Sequence, residues 1–192
     1  GGSSLLSLPV DGISLDDLRD VTQQLLRCGA SIQEINTVRK HLSAIQGGKL
    51  AAACRVPILA LIISDVTGDD PTHIASGPCA PDPTTYTNAL SILGKYKITT
   101  SDGVQETLLA GCQRKIDETP KPGSSSFINV ENRLIATAHG SITAAENFFR
   151  DKCIATAILG DSVTGEASEF AKVYSALVRE IRQYPQNFLK PP

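Results

Sequence analysis

The first quarter of the chain carries the hydrophobic spacing of two amphipathic helices, with apolar residues recurring every three or four positions. Ser14 precedes Asp17 by three positions, which is the spacing of a capping box, and a glycine ends the first periodic stretch. We predict one helix over residues 15–28 and a second that starts near residue 31. The glycine pair 47–48 is expected to break or kink the second helix before residues 50–53.

A different pattern follows between residues 57 and 64, where the run PILALIIS is apolar at almost every position. Such a run is typical of a strand buried on both faces, as in a parallel sheet. Residues 67–85 are then rich in Gly, Pro, Asp and Thr and have no clear period. This stretch is longer than the usual connection, and long loops in compact domains are often functional.

The remainder of the chain alternates between helix-like and strand-like stretches around a turn-rich connector at residues 119–126. The predicted helices cover residues 85–95, 101–111, 141–150 and 166–182, and the predicted strands cover residues 133–138 and 154–159. Strands that alternate with helices of this length indicate an α/β fold, with a mainly parallel sheet covered by helices on both faces in three layers.

Composition narrows the class of protein. With 192 residues, of which 41% are hydrophobic and 20% charged, the chain has the profile of one soluble α/β domain. With a net charge of −2 the chain lacks the excess of basic residues that binds nucleic acid or an anionic membrane. We therefore predict neither a nucleic-acid partner nor a membrane partner. The longest apolar run is too short to span a membrane and no signal-peptide pattern opens the chain, so the expected location is the cytoplasm.

The spacing of cysteine and histidine disfavours a disulfide framework and a structural zinc site. The five cysteines lie more than twenty residues apart, which is typical of free thiols in a protein that is not secreted. The three histidines have no metal-ligand spacing with each other or with the cysteines.

The densest group of polar residues is SDVTGDDP at residues 64–71, directly after the predicted strand. In open α/β sheets the ligand crevice lies beyond the carboxyl ends of the strands, and Asp65 lies at such an end. A carboxylate there can hold Mg²⁺ or act as a general base on a hydroxyl nucleophile, and Gly68 lets the backbone approach a ligand closely. In the alternative interpretation Asp65 makes an Asx turn, while Asp69 and Asp70 cap the next element.

A second polar group lies on the second predicted helix, where Asn36, Arg39, Lys40 and Ser43 are spaced by three or four positions. Residues so spaced share a helix face, and two cations on that face suit a carboxylate or phosphate ligand. A solvated helix face explains the same spacing. The Gly/Ser residues 1–4 are compatible with an anion cradle built from backbone amides.

Two common nucleotide-binding signatures are missing from the sequence. No GxGxxG follows a predicted strand, and QGGKL at residues 46–50 lacks the first glycine and the Ser/Thr of a P-loop. The stretch LGDSVTGE at residues 159–166 repeats the pattern of a strand followed by an aspartate, in weaker form.

Five stretches together resemble the type II glycerate kinase family, whose members also carry the name hydroxypyruvate reductase. They are, in chain order, GGSSLLSLP (1–9), EINTVRKHLSAIQGGKLA (34–51), ISDVTGDDPTHIASGPCAPDPTT (63–85), ETPKPG (118–123) and ILGDSVTGEASEFAKV (158–173). The resemblance implies an enzyme with a Rossmann-like α/β/α first domain and a second α/β domain. Its implied reaction is the ATP-dependent, Mg²⁺-assisted phosphorylation of D-glycerate to 2-phosphoglycerate, so ATP and Mg²⁺ are the expected cofactors.

By the same resemblance, residues 1–192 are the greater part of the first domain, and residues 186–192 are a linker toward the second. The chain has no methionine, opens on Gly-Gly and ends on Pro-Pro, from which we expect both ends to be cut. The family's N-terminal lysine, and the arginine and acidic residues of its second domain, then fall outside the segment. We therefore expect the segment to be inactive alone.

The resemblance also implies roles for individual residues. The family's Gly/Ser anion loop is matched by four residues, Gly1, Gly2, Ser3 and Ser4. Its NTxRKxLS helix is matched by Asn36, Arg39 and Lys40. The resemblance implies that these residues contact the glycerate carboxylate or a phosphate. Its SDVxGDD string implies substrate or phosphate contacts for Ser64, Gly68 and Asp69. The same string implies that Asp65 is the catalytic residue or a metal ligand.

Two other functions stay open. An NAD(P)H-dependent hydroxypyruvate reductase would use a substrate that differs from glycerate by a hydride and a proton, although the missing GxGxxG disfavours it. A non-catalytic domain that binds a sugar acid or a nucleotide is the second alternative. The sequence also leaves open whether the protein forms a homodimer.

Overall fold

The computed structural model describes residues 5–163 and 165–185. The anion loop predicted at Gly1 to Ser4 and the linker predicted at 186–192 therefore lie outside the described residues. None of the helices within these ranges is long and apolar enough to cross a membrane.

Helix α1 (Leu15–Arg27) begins with a capping box. The Ser14 hydroxyl accepts the N–H of Asp17 at 3.1 Å, and the Asp17 carboxylate accepts the N–H of Ser14 at 2.8 Å. Helix α2 (Ile32–Leu42) begins in the same way at Ser31. Both predicted helix starts are confirmed, because a cap depends on residues that are neighbours in the sequence.

The end of α2 comes earlier than predicted. Ser43 is extended and forms an antiparallel bridge with Pro9, so the helix stops before it reaches the glycine pair. Gly47 and Gly48 then adopt left-handed φ values of 63° and 81° ahead of a short helix, α3 (Lys49–Ala53). A side chain at position 48 would come within 2.7 Å of the Phe127 ring, so this turn requires glycine on steric grounds as well.

The apolar core lies among four helices. Helices α4 (Tyr86–Lys95) and α5 (Asp102–Cys112) pack with α1 and α2. The buried side chains of these helices form one cluster with Ile13, which lies just ahead of α1: Ile13, Leu18, Val21, Leu25, Ile35, Val38, Leu42, Tyr86, Ala89, Leu93, Val104 and Leu108. The helices predicted over these regions are therefore confirmed, and apart from the earlier end of α2 their ends shift by about a residue.

Two strands form the sheet of the described residues, β1 (Ile58–Ile63) and β2 (Val130–Ala136). The Ile58 N–H donates to the Asn129 carbonyl and the Ser64 N–H donates to the Ala136 carbonyl, each at 2.9 Å. Residue numbers rise together along both strands, so the pair is parallel. The predicted α/β class with a parallel sheet is confirmed.

Two strand predictions are wrong. Strand β1 is not buried on both faces, since Leu59, Leu61 and Ile63 are 51%, 59% and 69% exposed. A run that is apolar at every position cannot show which face is covered, because it lacks the alternation that marks one covered face. No strand forms over residues 154–159 either. A strand requires a ladder partner, and in the described part of the chain β1 and β2 pair only with each other.

The described residues fall into two compact units. The first comprises residues 5–62 and 70–135, and the second comprises residues 63–69, 136–163 and 165–185. Helices α6 (Ala138–Arg150) and α7 (Ala167–Gln183) belong to the second unit.

Helix α6 starts three residues before its predicted position at 141. The Thr137 hydroxyl accepts the N–H of Gly140 at 3.0 Å, so Thr137 is an N-cap rather than a strand residue. Strand β2 consequently ends at Ala136 instead of continuing to 138. Helix α7 confirms the predicted amphipathic helix at the end of the described chain.

Replacing Gly111 with alanine should destabilise the first unit. Gly111 lies in α5, and an alanine Cβ there would overlap the ring of Tyr86, which is buried in the core. Relieving the overlap means shifting a packed aromatic ring, which costs about 1–3 kcal/mol. Urea unfolding of the variant and of the wild type measures this loss in the free energy of unfolding.

Gly94→Ala is the matched control for that experiment. Gly94 is an exposed residue of α4, and no atom lies within 4 Å of a Cβ placed there. We expect its stability to be unchanged or slightly raised, because alanine favours a helix more than glycine does. Equal unfolding midpoints for the Gly111 and Gly94 variants would contradict the predicted overlap.

Candidate functional site

The side chain of Asn36, on α2, is hydrogen-bonded to the long loop that follows β1. Its side-chain N–H donates to the His73 carbonyl at 3.3 Å, and its side-chain oxygen accepts the Ser76 hydroxyl at 2.9 Å. Asn36 is 4% exposed and Ser76 is 2% exposed, so both polar groups are satisfied inside the first unit. In this arrangement Asn36 positions the loop around residues 73–76.

Lys40, next to the predicted anion-binding Arg39, is paired inside the protein. Its ammonium lies 3.3 Å from a carboxylate oxygen of Asp82, and the two side chains are 1% and 0% exposed. The Thr84 N–H and hydroxyl donate to the same Asp82 oxygen, and the Thr119 hydroxyl donates to the other oxygen at 3.0 Å. The charge of Lys40 is therefore neutralised by a fully hydrogen-bonded carboxylate.

Asp82 remains ionised in this setting. Burial alone would raise the pKa of its carboxyl group, but the hydrogen bonds from Thr84 and the charge of Lys40 outweigh burial and hold the pKa below its ordinary value. In the sequence Asp82 is only one of the polar residues of the loop 67–85, because Lys40 and Asp82 lie 42 positions apart. No local pattern connects two residues at that separation.

His41 completes the buried group. Its Nδ1 lies 2.7 Å from the Thr37 carbonyl, and its Nε2 lies 3.5 Å from a carboxylate oxygen of Glu118. Burial lowers the pKa of His41 more than the Thr37 carbonyl and the carboxylates of Asp82 and Glu118 raise it. The neutral imidazole therefore gives its Nδ1 proton to the Thr37 carbonyl, which fixes its tautomer.

Arg39 differs from Lys40 in both burial and partners. It is half-buried, and burial lowers the pKa of its guanidinium group. Within the described ranges no carboxylate or carbonyl pairs with this guanidinium. Arg39 lines a cavity of about 610 Å³ together with residues of α1 and with Leu5 and Ser7. The predicted Gly/Ser anion loop immediately precedes Leu5 in the sequence.

The second unit contains the loop at the carboxyl end of β1. Asp65 is exposed, directly after a buried Ser64 whose hydroxyl accepts the Val66 N–H at 3.3 Å. Gly68 and Asp69 have positive φ values of 86° and 53°, and the Asp69 N–H donates to the Val66 carbonyl at 3.0 Å. This hydrogen bond closes a tight turn over residues 66–69, and Asp65 is the exposed residue immediately before it.

Asp70, in the first unit, is the aspartate of this stretch whose side chain bonds to the backbone two residues on. Its carboxylate accepts the Thr72 N–H at 2.8 Å. Burial works toward a higher pKa for Asp70, but the hydrogen bonds from Thr72, with the charges of His73 and Lys40, lower the pKa below its ordinary value. Asp65 makes no comparable hydrogen bond with any residue that the structure describes.

The second unit also contains a pair of ionisable side chains, one of them near the start of α6. The Ser64 N–H donates to the Ala136 carbonyl, so the Asp65 loop and the start of α6 leave neighbouring strands together. His139, in the first turn of α6, lies 3.7 Å from a carboxylate oxygen of Asp161. In the sequence this aspartate appears as the weaker repeat of a strand followed by an aspartate, and the histidine is expected to have a structural or surface role. The position of His139 just after a predicted strand is a signal that could have indicated a site residue.

The described residues contain no group of three or more His, Cys, Asp or Glu side chains that could hold a metal ion. Mg²⁺ commonly takes one or two carboxylates and completes its shell with water and substrate phosphates. The exposed carboxylate of Asp65 fits one such oxygen ligand. A magnesium role for Asp65 stays a prediction.

Several proteins of known name are similar to this chain. A D-glycerate 2-kinase from Thermotoga maritima is 39% identical over 192 residues, which is 100% of this chain and 43% of that protein. A putative hydroxypyruvate reductase from Agrobacterium vitis is 44% identical over 183 residues, 95% of this chain and 40% of that protein. The chain thus spans about two fifths of the curated relatives that it matches.

A solved structure is similar as well. The crystal structure of a glycerate kinase from Thermotoga maritima has a TM-score of 0.76 and 39% identity, over 100% of this chain and 44% of that one. Fold and sequence therefore place the chain in the class of α/β proteins that resemble glycerate kinases, which confirms the resemblance seen in the motifs. Residues 1–109, more than half of the chain, match a defined family. The chain belongs to that family, which is described as a domain of unknown function, DUF4147.

Proposed function

We propose that the whole protein is a glycerate 2-kinase. It would transfer the terminal phosphoryl group of ATP to the 2-hydroxyl of D-glycerate and release 2-phosphoglycerate and ADP. The observation that carries the proposal is the place of Asp65, an exposed carboxylate directly after the carboxyl end of a parallel strand. The names of the relatives support the substrate. Residues 1–192 would form the greater part of the first domain of this cytoplasmic enzyme.

The loop around Asp65 would supply part of what phosphoryl transfer needs. This reaction depends mainly on positioning the reactants and neutralising charge on the phosphoryl oxygens, and bound Mg²⁺ supplies part of that neutralisation. Asp65 would accept the proton of the attacking hydroxyl or provide one oxygen ligand for Mg²⁺. Ser64, Gly68 and Asp69 would hold the loop so that its backbone lies against the substrate or its phosphates.

Within the first unit, one cationic side chain would bind an anion. Arg39 fits this role because it lines a cavity and has no internal partner among the described residues. The Gly1–Ser4 loop would bind the same anion through its backbone amides. For Asn36 and Lys40, whose polar groups are satisfied internally, we propose that they act by fixing α2 and the loop bonded to it.

Arg39→Ala should raise KM for D-glycerate or for ATP by about 10-fold or more, since a charge-assisted hydrogen bond contributes roughly 1.5–3 kcal/mol. Steady-state kinetics on the whole protein, with each substrate varied in turn, measures the effect. Arg133→Ala is the control, because Arg133 is exposed and pairs with Glu131. Unchanged KM values for both substrates in the Arg39 variant would remove Arg39 from the site.

A hydroxypyruvate reductase is the second candidate function. The observation in its favour is the name of the Agrobacterium vitis relative, a putative hydroxypyruvate reductase that is 44% identical. Substrate binding alone does not separate the two functions, because glycerate and hydroxypyruvate differ by one oxidation step.

A two-arm assay on the whole protein tests the proposal. One arm supplies D-glycerate, ATP and Mg²⁺ and follows ADP release, and the other supplies hydroxypyruvate with NADH or NADPH and follows nucleotide oxidation. We expect ADP release with no nucleotide oxidation. Oxidation without ADP release would replace the kinase by the reductase, and nucleotide binding with neither activity would favour a non-catalytic binding domain.

A further inference from the structure

Lys49, the first residue of α3, caps the carboxyl end of α2. Its ammonium nitrogen donates to the Ser43 carbonyl at 2.6 Å and to the Lys40 carbonyl at 3.1 Å. These are carbonyls that the helix leaves without internal partners at its last turn. Two of the three N–H directions of Lys49 are therefore fixed by backbone oxygens.

The same lysine lines a cavity of about 490 Å³ in the first unit. Tyr86 and Ile116 form apolar parts of its wall, and three exposed carboxylates, Asp11, Glu106 and Asp117, lie along it. The cavity is large enough for a small organic molecule. Its carboxylates repel anions, so an uncharged ligand suits it better than glycerate or a phosphate.

Burial changes the charge state of this amine. Desolvation lowers the pKa of Lys49 to about 8, against the opposing attraction of Asp82 and Glu118, and the charge of Lys121 lowers it further. At neutral pH the neutral form is roughly 200- to 300-fold more abundant than in an exposed lysine of ordinary pKa. A neutral amine that gives both of its N–H groups to Ser43 and Lys40 directs its lone pair away from the helix end.

We propose that Lys49 is a nucleophilic lysine that takes up a small, uncharged aldehyde as a reversible imine. The nitrogen lone pair forms the C–N bond with the aldehyde carbon, and the carbonyl oxygen takes a proton to give a carbinolamine. That hydroxyl then leaves as water with a second proton while the C=N bond forms, and the nitrogen loses both of its hydrogens in the process. Carboxyl groups along the cavity can supply and receive these protons.

Reductive trapping with glycolaldehyde and cyanoborohydride near pH 7.5 tests this assignment. Peptide mass spectrometry on the wild-type protein compares Lys49 with Lys115, an exposed lysine for comparison. We expect Lys49 to be labelled at least about 10-fold faster, since greater amine availability outweighs the lower basicity of the amine. Labelling of Lys49 no faster than Lys115 would overturn the proposal.

A second aldehyde tests the ligand class. Glyoxylate has a similar size and carries a negative charge, so the three carboxylates should slow its reaction at Lys49 by several-fold relative to glycolaldehyde. Equal rates for the two aldehydes at Lys49, after correction by the ratio at Lys115, would overturn the selectivity for an uncharged ligand. Because both experiments use unmodified protein, neither depends on whether a Lys49 variant folds, and neither depends on the proposed kinase activity.

Discussion

Replacing Asp65 with asparagine is expected to lower kcat for D-glycerate phosphorylation by about 10²–10⁴-fold in the whole protein. The substitution keeps the size of the side chain and removes its charge, so neither proton acceptance nor metal binding survives at full strength. Asp65 is exposed and bonds to no other described side chain, so the fold should remain intact. Steady-state kinetics together with a thermal unfolding curve separates lost chemistry from lost stability.

The metal dependence of the Asp65→Asn variant distinguishes the two roles. If Asp65 holds Mg²⁺, the concentration of metal needed for half-maximal activity should rise. If Asp65 accepts the hydroxyl proton, kcat should fall at saturating metal without that rise. Asp151→Asn, at the exposed end of α6, should leave both quantities unchanged. Turnover of the Asp65 variant within a few-fold of wild type would exclude Asp65 from the mechanism.

The largest loss of stability is expected from Asp82→Ala, at about 3–5 kcal/mol. The variant leaves the Lys40 ammonium buried without its partner, and it also removes the acceptor for the Thr84 and Thr119 hydroxyls. The free energy of unfolding from urea titration measures the loss. Asp16→Ala is the matched control, because it breaks an ion pair with Arg19 whose side chains are 89% and 72% exposed. That exposed pair should contribute less than about 1 kcal/mol.

The double variant Lys40→Met with Asp82→Ala tests whether the uncompensated charge causes the loss. Removing both charges should recover a large part of the stability lost in Asp82→Ala alone. Acidification should act on the wild type in the same direction as the single variant. Because folding lowers the pKa of Asp82, its contribution is complete above the ordinary carboxyl pKa and is lost as the pH falls through the lower folded value. A double variant no more stable than Asp82→Ala would contradict this account.

The sequence by itself was enough for the helices. Caps such as Ser14 with Asp17 are made by residues a few positions apart, and the apolar faces of α1, α2, α4 and α5 repeat at the helical period. The place of Asp65 at the end of a strand followed from the same local information. The motif strings also indicated the glycerate kinase resemblance, which the relatives confirm.

Only the tertiary structure decided what the polar residues of α2 face. Arg39 and Lys40 look alike in the sequence, yet one lines a cavity and the other is buried against an aspartate 42 positions away. Helical spacing locates a side chain on its own helix and contains nothing about which distant segment will cover it. The sequence could not determine which face of β1 is covered, or that residues 154–159 form no strand, for the same reason. Burial and strand pairing arise from contacts between segments far apart in the chain.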